Sequence, residues 1–344
     1  MTLTIISIGL TDEQDLSQRA TQAARDCDTL YAELYTTILN TDVNRISDAI
    51  GRTVVPLPRS SYEEDSARLL DEAEEKDVGI LVGGDALSAT THISLLIDAR
   101  KRGIETRIIH GSSILTAVAE TGLSLYKFGR TVTLPLPEKG PPDTVLRTLR
   151  ENREHGLHTL VLLDLDTEAG RHLPIPQAIA LLLESQTEDY AADTLTITLA
   201  RIGWGDGAIR AGRASELAGL NYGGPPHALI VPGTLHFLEE EALRTLAGCP
   251  DDALKGRRTT GEVQRLIEKY LDSCRNAVDE LEYRELPRSL SSEEVKALIE
   301  HAVRYLDDAE YYAEDKRATA LASVSYAEGI LDALRLLGLV EFEW

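Results

Sequence analysis

Gly83-Gly84-Asp85 is the stretch whose residue types and spacing first suggest chemistry. Two glycines let the backbone turn sharply and let a ligand approach it closely. The carboxylate that follows suits hydroxyls or a cation, and the stretch lacks the spacing and lysine of a phosphate-cradling loop. Read blandly, Gly and Asp are ordinary turn residues that need no ligand. Thr90 and Thr91 add hydroxyls, one of which could cap a helix running to about Arg100. His227, directly after Pro225-Pro226, either caps that turn or faces a ligand. His155 and His158 lie three apart without a third ligand at suitable spacing, so no metal site is expected. Asp164 and Asp166 alternate onto one face of a strand end, where magnesium or plain solvent would suit them. Cys27, Cys249 and Cys274 form no C-x-x-C and read as reduced, buried small hydrophobes.

These residues need elements to position them. Val78 to Val82 is a short β-branched apolar run, which predicts a buried strand. It places Asp85 at a strand's carboxyl end, where open α/β sheets bind ligands. Further strands are predicted at Thr2 to Ile8, Thr29 to Glu33, Thr53 to Leu57 and Glu105 to His110. Helices alternate with them, including an acidic one from Tyr62 to Glu75 expected to lie exposed. That alternation predicts a parallel, doubly wound sheet. Ser112, Ser113 and Thr116 open a helix of small residues. The Pro-rich stretch from Pro135 to Pro142 reads as a non-helical linker. Beyond it, strands at Thr159 to Leu165, Thr194 to Ala200 and Ala228 to Val231 alternate with helices and predict a second α/β domain. The Glu239-Glu240-Glu241 run is expected to be solvated at a helix N-terminus. From Thr259 strand signals vanish, and three helical periods predict a three-helix bundle, with Ser292 capping its second helix. The predicted domains are residues 1–135, 143–251 and 259–344.

A chain of 344 residues can hold two or three such cores, and its 43% hydrophobic content fits a globular protein. No apolar run approaches the ~18 residues of a membrane span, and the N-terminus enters strand-like residues with no signal peptide expected. A net charge of −22 argues against nucleic-acid partners, which are held by Lys and Arg. Only 8 of the 35 basic residues are Lys, leaving 27 Arg. Acidity with scarce Lys reads as adaptation to a salty cytoplasm, where a Debye length of roughly 3 Å at 1 M damps self-repulsion.

Several stretches resemble one family in order over about residues 1–250. They are Ser7-Ile8-Gly9-Leu10, Tyr31-Ala32-Glu33, Gly84-Asp85 through Ala89-Thr90-Thr91-His92, Ile109-His110 with Ser113-Ile114, Tyr126-Lys127-Phe128-Gly129, and Pro225-Pro226-His227 with Val231-Pro232-Gly233. The chain is similar to the diphthine synthases, a branch of the tetrapyrrole-methylase-like S-adenosylmethionine transferases. The resemblance implies two α/β domains with the cofactor in the cleft between them, usually in a cytoplasmic homodimer. It implies methylation, to the trimethylated form in archaea, of the amine of a 3-amino-3-carboxypropyl group on a histidine of translation elongation factor 2. By position it carries cofactor contacts onto Leu10, Asp85, Ser88, Ser113, Ile114, Leu163, Ile202 and His227. No catalytic triad is expected, because the methyl donor is already activated. Two departures stand out: Ala86 follows Gly84-Asp85 where the family has Pro, and Gly83 precedes them where it often has Pro. Two other readings stay open, a corrin or porphyrin methyltransferase and a nucleotide-binding regulator without turnover. The C-terminal helices resemble a small archaeal helical domain with no assigned role.

Overall fold

The computed structural model describes residues 1–63, 66–254, 262–284, 287, 290–313 and 316–344. Two compact units divide the chain, Met1–Arg258 and Thr259–Trp344; Thr259, where the third predicted domain begins, is outside the described residues.

The first unit starts with a five-stranded sheet of β1 (Thr2–Ser7), β2 (Thr29–Glu33), β3 (Val55–Pro56), β4 (Val78–Val82) and β5 (Glu105–Ile109). The strands run parallel in the order β3-β2-β4-β1-β5. A sheet covered on both faces needs strands apolar on both sides, and β4 is buried along its whole length. Leu3, Ile5 and Ile80 face one layer with Leu69 and Leu95, while Ile6, Ile8 and Leu81 face the other with Ala20 and Ile46. The predicted exposed helix is corrected here. Helix is described over Arg59–Glu63 and Ser66–Glu75, and Tyr62, Leu69, Leu70 and Ala73 are buried. An apolar stripe every three to four residues outweighs the acidic composition. Neither threonine caps the next helix, Ile93–Lys101, whose N-cap His92 makes no side-chain cap bond. Thr90 instead donates to the Ala86 carbonyl at 2.6 Å.

A second sheet contains β6 (Val132–Leu134) and β7 (Thr159–Leu163). After it comes a small hairpin of β8 (Leu165–Asp166) and β9 (Arg171–His172), then β10 (Leu195–Ala200), β11 (Ala208–Arg213) and β12 (His227–Val231). The sheet order is β11-β10-β12-β7-β6, antiparallel except where β6 joins β7. Because β6 already belongs to this sheet, the crossing between sheets comes before Val132, ahead of the boundary drawn at 135. The Pro-rich stretch holds a 3-10 turn, Pro137–Lys139, with proline at the first position, where its missing N–H costs nothing.

The second unit packs helices Glu262–Glu280, Ser292–Tyr312 and Arg317–Leu336 around Ile267, Ala302, Leu306, Val324 and Leu331. It also contains strands the sequence hid: β13 (Glu282–Tyr283) pairs antiparallel with β14 (Val340–Glu341). Its second helix is capped by Ser291, not Ser292. Ser291 Oγ accepts from Glu294 N, and the Glu294 carboxylate accepts from Ser291 N at 2.8 Å.

Candidate active site

At the carboxyl ends of β1, β4 and β5 three turns are tied together. Gly9 and Gly84 exchange backbone hydrogen bonds, with Gly84 N donating to Gly9 O at 2.7 Å. Gly84 has φ +70, a left-handed conformation open to glycine at no steric cost, and the space where a Cβ would stand is empty. Ala86 N donates to Ser7 Oγ at 2.9 Å. Asp85 is only 8% exposed and accepts four hydrogen bonds. Leu87 N (3.1 Å) and Ser88 Oγ (3.2 Å) donate to Oδ1, and His110 Nδ1 (2.8 Å) and Gly111 N (3.2 Å) donate to Oδ2. Burial would raise its pKa, but the donors, His110 foremost, outweigh that and hold the carboxyl below its ordinary range.

These turns form one wall of a cleft of roughly 920 Å³, partly open to solvent, whose other wall comes from the second sheet. All eight residues singled out from the sequence line it: Leu10, Asp85, Ser88, Ser113 and Ile114 on the first side, Leu163, Ile202 and His227 on the second. The sequence reading missed the turn after β2, which contributes Thr36, Thr37 and Leu39. That turn hangs on Glu33, which is fully buried and accepts from Tyr35 N, Thr36 N and Thr36 Oγ1. An acid closing a strand just before two threonines was the available signal.

Hydrogen bonds join the two halves of the first unit on both sides of the cleft. Trp204 Nε1 donates to the Leu10 carbonyl at 3.1 Å, and Thr11 Oγ1 donates to Gly203 O at 3.3 Å. On the other side Thr167 Oγ1 donates to Tyr35 O at 3.1 Å. Ahead of His227, Arg201 donates to the carbonyls of Tyr222 and Gly224 and pairs with Asp206, which shapes the loop leading into β12. His227 is 9% exposed, and among the described residues neither ring nitrogen has a hydrogen-bond partner. Burial, then the proximity of His172 and Arg201, pushes its pKa down to about 4, so the ring is neutral near pH 7.

The other candidates lie in internal bonding. His158 is buried, accepts from Gly233 N on Nδ1 and donates from Nε2 to Glu239 at 3.1 Å. His155 faces the Glu151 carbonyl, and no metal-holding cluster occurs among the described residues. Asp164 pairs with Lys139 and Asp166 with Arg171. The expected solvated glutamate run is corrected: Glu239 is 4% and Glu240 2% exposed. Glu239 turns inward because Ser124 N, Lys127 Nζ, His158 Nε2 and His236 N all donate to it. Cys27, Cys249 and Cys274 are buried thiols outside any disulfide, with burial pushing Cys27 and Cys274 up to about 11.

An apolar cleft with a few convergent polar groups suits a small ligand of mixed character. Leu10, Ile114, Leu163 and Ile202 could flank a flat ring, while the main chain at Gly84, the Ser113 hydroxyl and the unpartnered imidazole of His227 offer polar ends. A nucleoside carrying an amino-acid tail has this chemistry, so the residues present fit S-adenosylmethionine.

Comparison with known proteins agrees. Residues 2–218 match the family described as Tetrapyrrole (Corrin/Porphyrin) Methylases, and residues 269–340 match a family described only as a protein of unknown function, DUF357. The diphthine synthase of Methanocella arvoryzae is 42% identical over 257 residues, covering 72% of this chain and 98% of the relative. That of Methanothermobacter thermautotrophicus is 40% identical over 255 residues, covering 72% and 96%. A crystal structure of diphthine synthase superposes with a TM-score of 0.69 at 35% identity, covering 74% of this chain and 98% of its own. The chain belongs to the diphthine synthase family, S-adenosylmethionine-dependent methyltransferases built on the tetrapyrrole methylase fold.

Proposed function

We propose that the protein methylates the amine of the 3-amino-3-carboxypropyl group on a histidine of translation elongation factor 2, with the cofactor held in the cleft between the two sheets. The observation that carries this is the convergence of Leu10, Asp85, Ser88, Ser113, Ile114, Leu163, Ile202 and His227 on one cleft. The near-complete span of the named relatives favours this substrate over a tetrapyrrole.

The cofactor supplies a sulfonium methyl, already activated for in-line displacement. What remains for the protein is alignment and exclusion of water. Leu163, Ile202 and Ile114 supply apolar walls, and such desolvation lowers the pKa of an attacking amine, favouring its neutral form. No side chain is assigned as a general base.

The reading extends to a homodimer in the cytoplasm of a salt-adapted archaeon. The charge of −22 with only 8 Lys supports the last point, and full folding in dilute buffer would count against it. Incubation with labelled S-adenosylmethionine and elongation factor 2 bearing the unmethylated precursor, read by mass spectrometry, tests the activity. Methyl groups on the precursor amine are expected. An unlabelled factor together with methylation of a corrin or porphyrin would overturn the substrate, and binding of S-adenosylhomocysteine without any transfer would point to a regulator.

A further inference from the structure

Asp85 looks at first like a carboxylate offered to the cofactor, but its bonding says otherwise. A carboxylate has about four lone-pair sites, and Leu87 N, Ser88 Oγ, His110 Nδ1 and Gly111 N occupy them. Two of these donors belong to its own turn after β4. The other two belong to the turn after β5. The packing between these turns is close: a Cβ on Gly111 would stand 2.7 Å from Ser7 Cβ and 3.5 Å from Gly84 O. Gly84, Asp85 and Ser88 from one turn and Ser113 from the other line the cleft. The His110 ring carries the side-chain half of this link from outside, with its side chain 68% exposed.

We propose that His110 is a positioning residue for the cofactor: through Asp85 it clamps the turn at 84–88 against the turn at 110–113. Asp85 then serves the cleft by holding two of its walls in register, and the ligand meets main chain and Ser113 rather than a free carboxylate. This rests on the reading of the cleft as the cofactor site. His110 Nδ1 is anchored on the carboxylate, so the second ring nitrogen is dispensable. His110 is the titratable group acting on Asp85; Ser7, Ser88 and Gly111, the other neighbours of the turn, carry no charge. Removing His110 takes away the largest influence lowering the Asp85 pKa, so the carboxylate will protonate at a higher pH in its absence.

The test compares the full chain with His110→Ala, His110→Asn and His110→Gln. Amide hydrogen exchange in the ligand-free protein reads the two turns, and calorimetry reads S-adenosylhomocysteine affinity between about pH 4 and pH 7, a range set by ordinary carboxylate titration. His110→Ala should speed exchange at both turns and weaken binding on the order of tenfold, the usual size for a lost hydrogen bond to a charged group. It should also move the acid loss of affinity to higher pH. Asn places an amide near the Nδ1 position and should restore binding and the pH profile; Gln places it near Nε2 and should not. Unchanged exchange in His110→Ala overturns the clamp. Looser turns with unchanged affinity overturn its bearing on the cofactor, as does rescue by Gln instead of Asn. A wild-type chain that binds no S-adenosylhomocysteine would sink the cofactor reading and this half of the inference with it, while the exchange result would still decide the clamp.

Discussion

Asp85 and Glu239 are both buried acids, each accepting four hydrogen bonds, and each with a histidine among its donors. Asp85 lies at the tips of a parallel sheet and lines the cleft, whereas Ser124, Lys127, His158 and His236, the donors to Glu239, line no part of it. The histidines differ accordingly. His158 is fully buried, and His110 is mostly in water. The contrast teaches that a saturated carboxylate is not by itself a mark of function. Its place relative to strand tips decides whether the order it imposes reaches a ligand or only the core.

Mutation should separate the two. Glu239→Ala leaves Lys127 and His158 facing a void, and breaking such a buried pair costs about 3–5 kcal/mol. Denaturant unfolding should show that loss, while the affinity of the folded fraction for S-adenosylhomocysteine stays at the wild-type value. Asp85→Ala should do the reverse, lowering stability by only about 1–2 kcal/mol while weakening the cofactor analogue more than tenfold by calorimetry. Equal effects of both variants on affinity would erase the distinction.

Acid provides a third handle. The unfolded imidazole of residue 227 takes a proton near the ordinary value of 6.5, but the folded one only near about 4. Between those values the unfolded state binds more protons, so stability falls as pH drops through that window. His227→Gln should flatten this part of the profile, read as denaturant midpoint against pH. Glu239, held far below the usual carboxylate range because its donors overcome burial, should add its own loss of stability only from about pH 5 downward, at the acid end of this window. The smallest effect is expected from Tyr126→Ala. Tyr126 adjoins Lys127 but is 99% exposed, so stability should stay within about 0.5 kcal/mol.

Much of the cleft was legible in the sequence because its residues follow strands in recognisable strings. Gly84-Asp85 follows a β-branched run, and Pro225-Pro226-His227 opens another. What could not be read was pairing over distance. The donors to Glu239 include His158, which is 81 positions away, so three adjacent glutamates looked solvated when two are buried. The antiparallel character of the second sheet was hidden for the same reason, since helices also intervene between most of its strands, β10 and β11 excepted. β6 and β13 are only three and two residues long, too short to register a period. The buried stripe of Leu69, Leu70 and Ala73 was legible and was outvoted by acidic neighbours.

Trp204 reaches from the loop after β10 to the Leu10 carbonyl, and the chain contains only one other tryptophan, Trp344. Replacing Trp344 with Phe would leave a single indole stationed on the seam where the two halves of the first unit meet. Its fluorescence would then follow loading and unloading of the cleft in real time, with no dye attached.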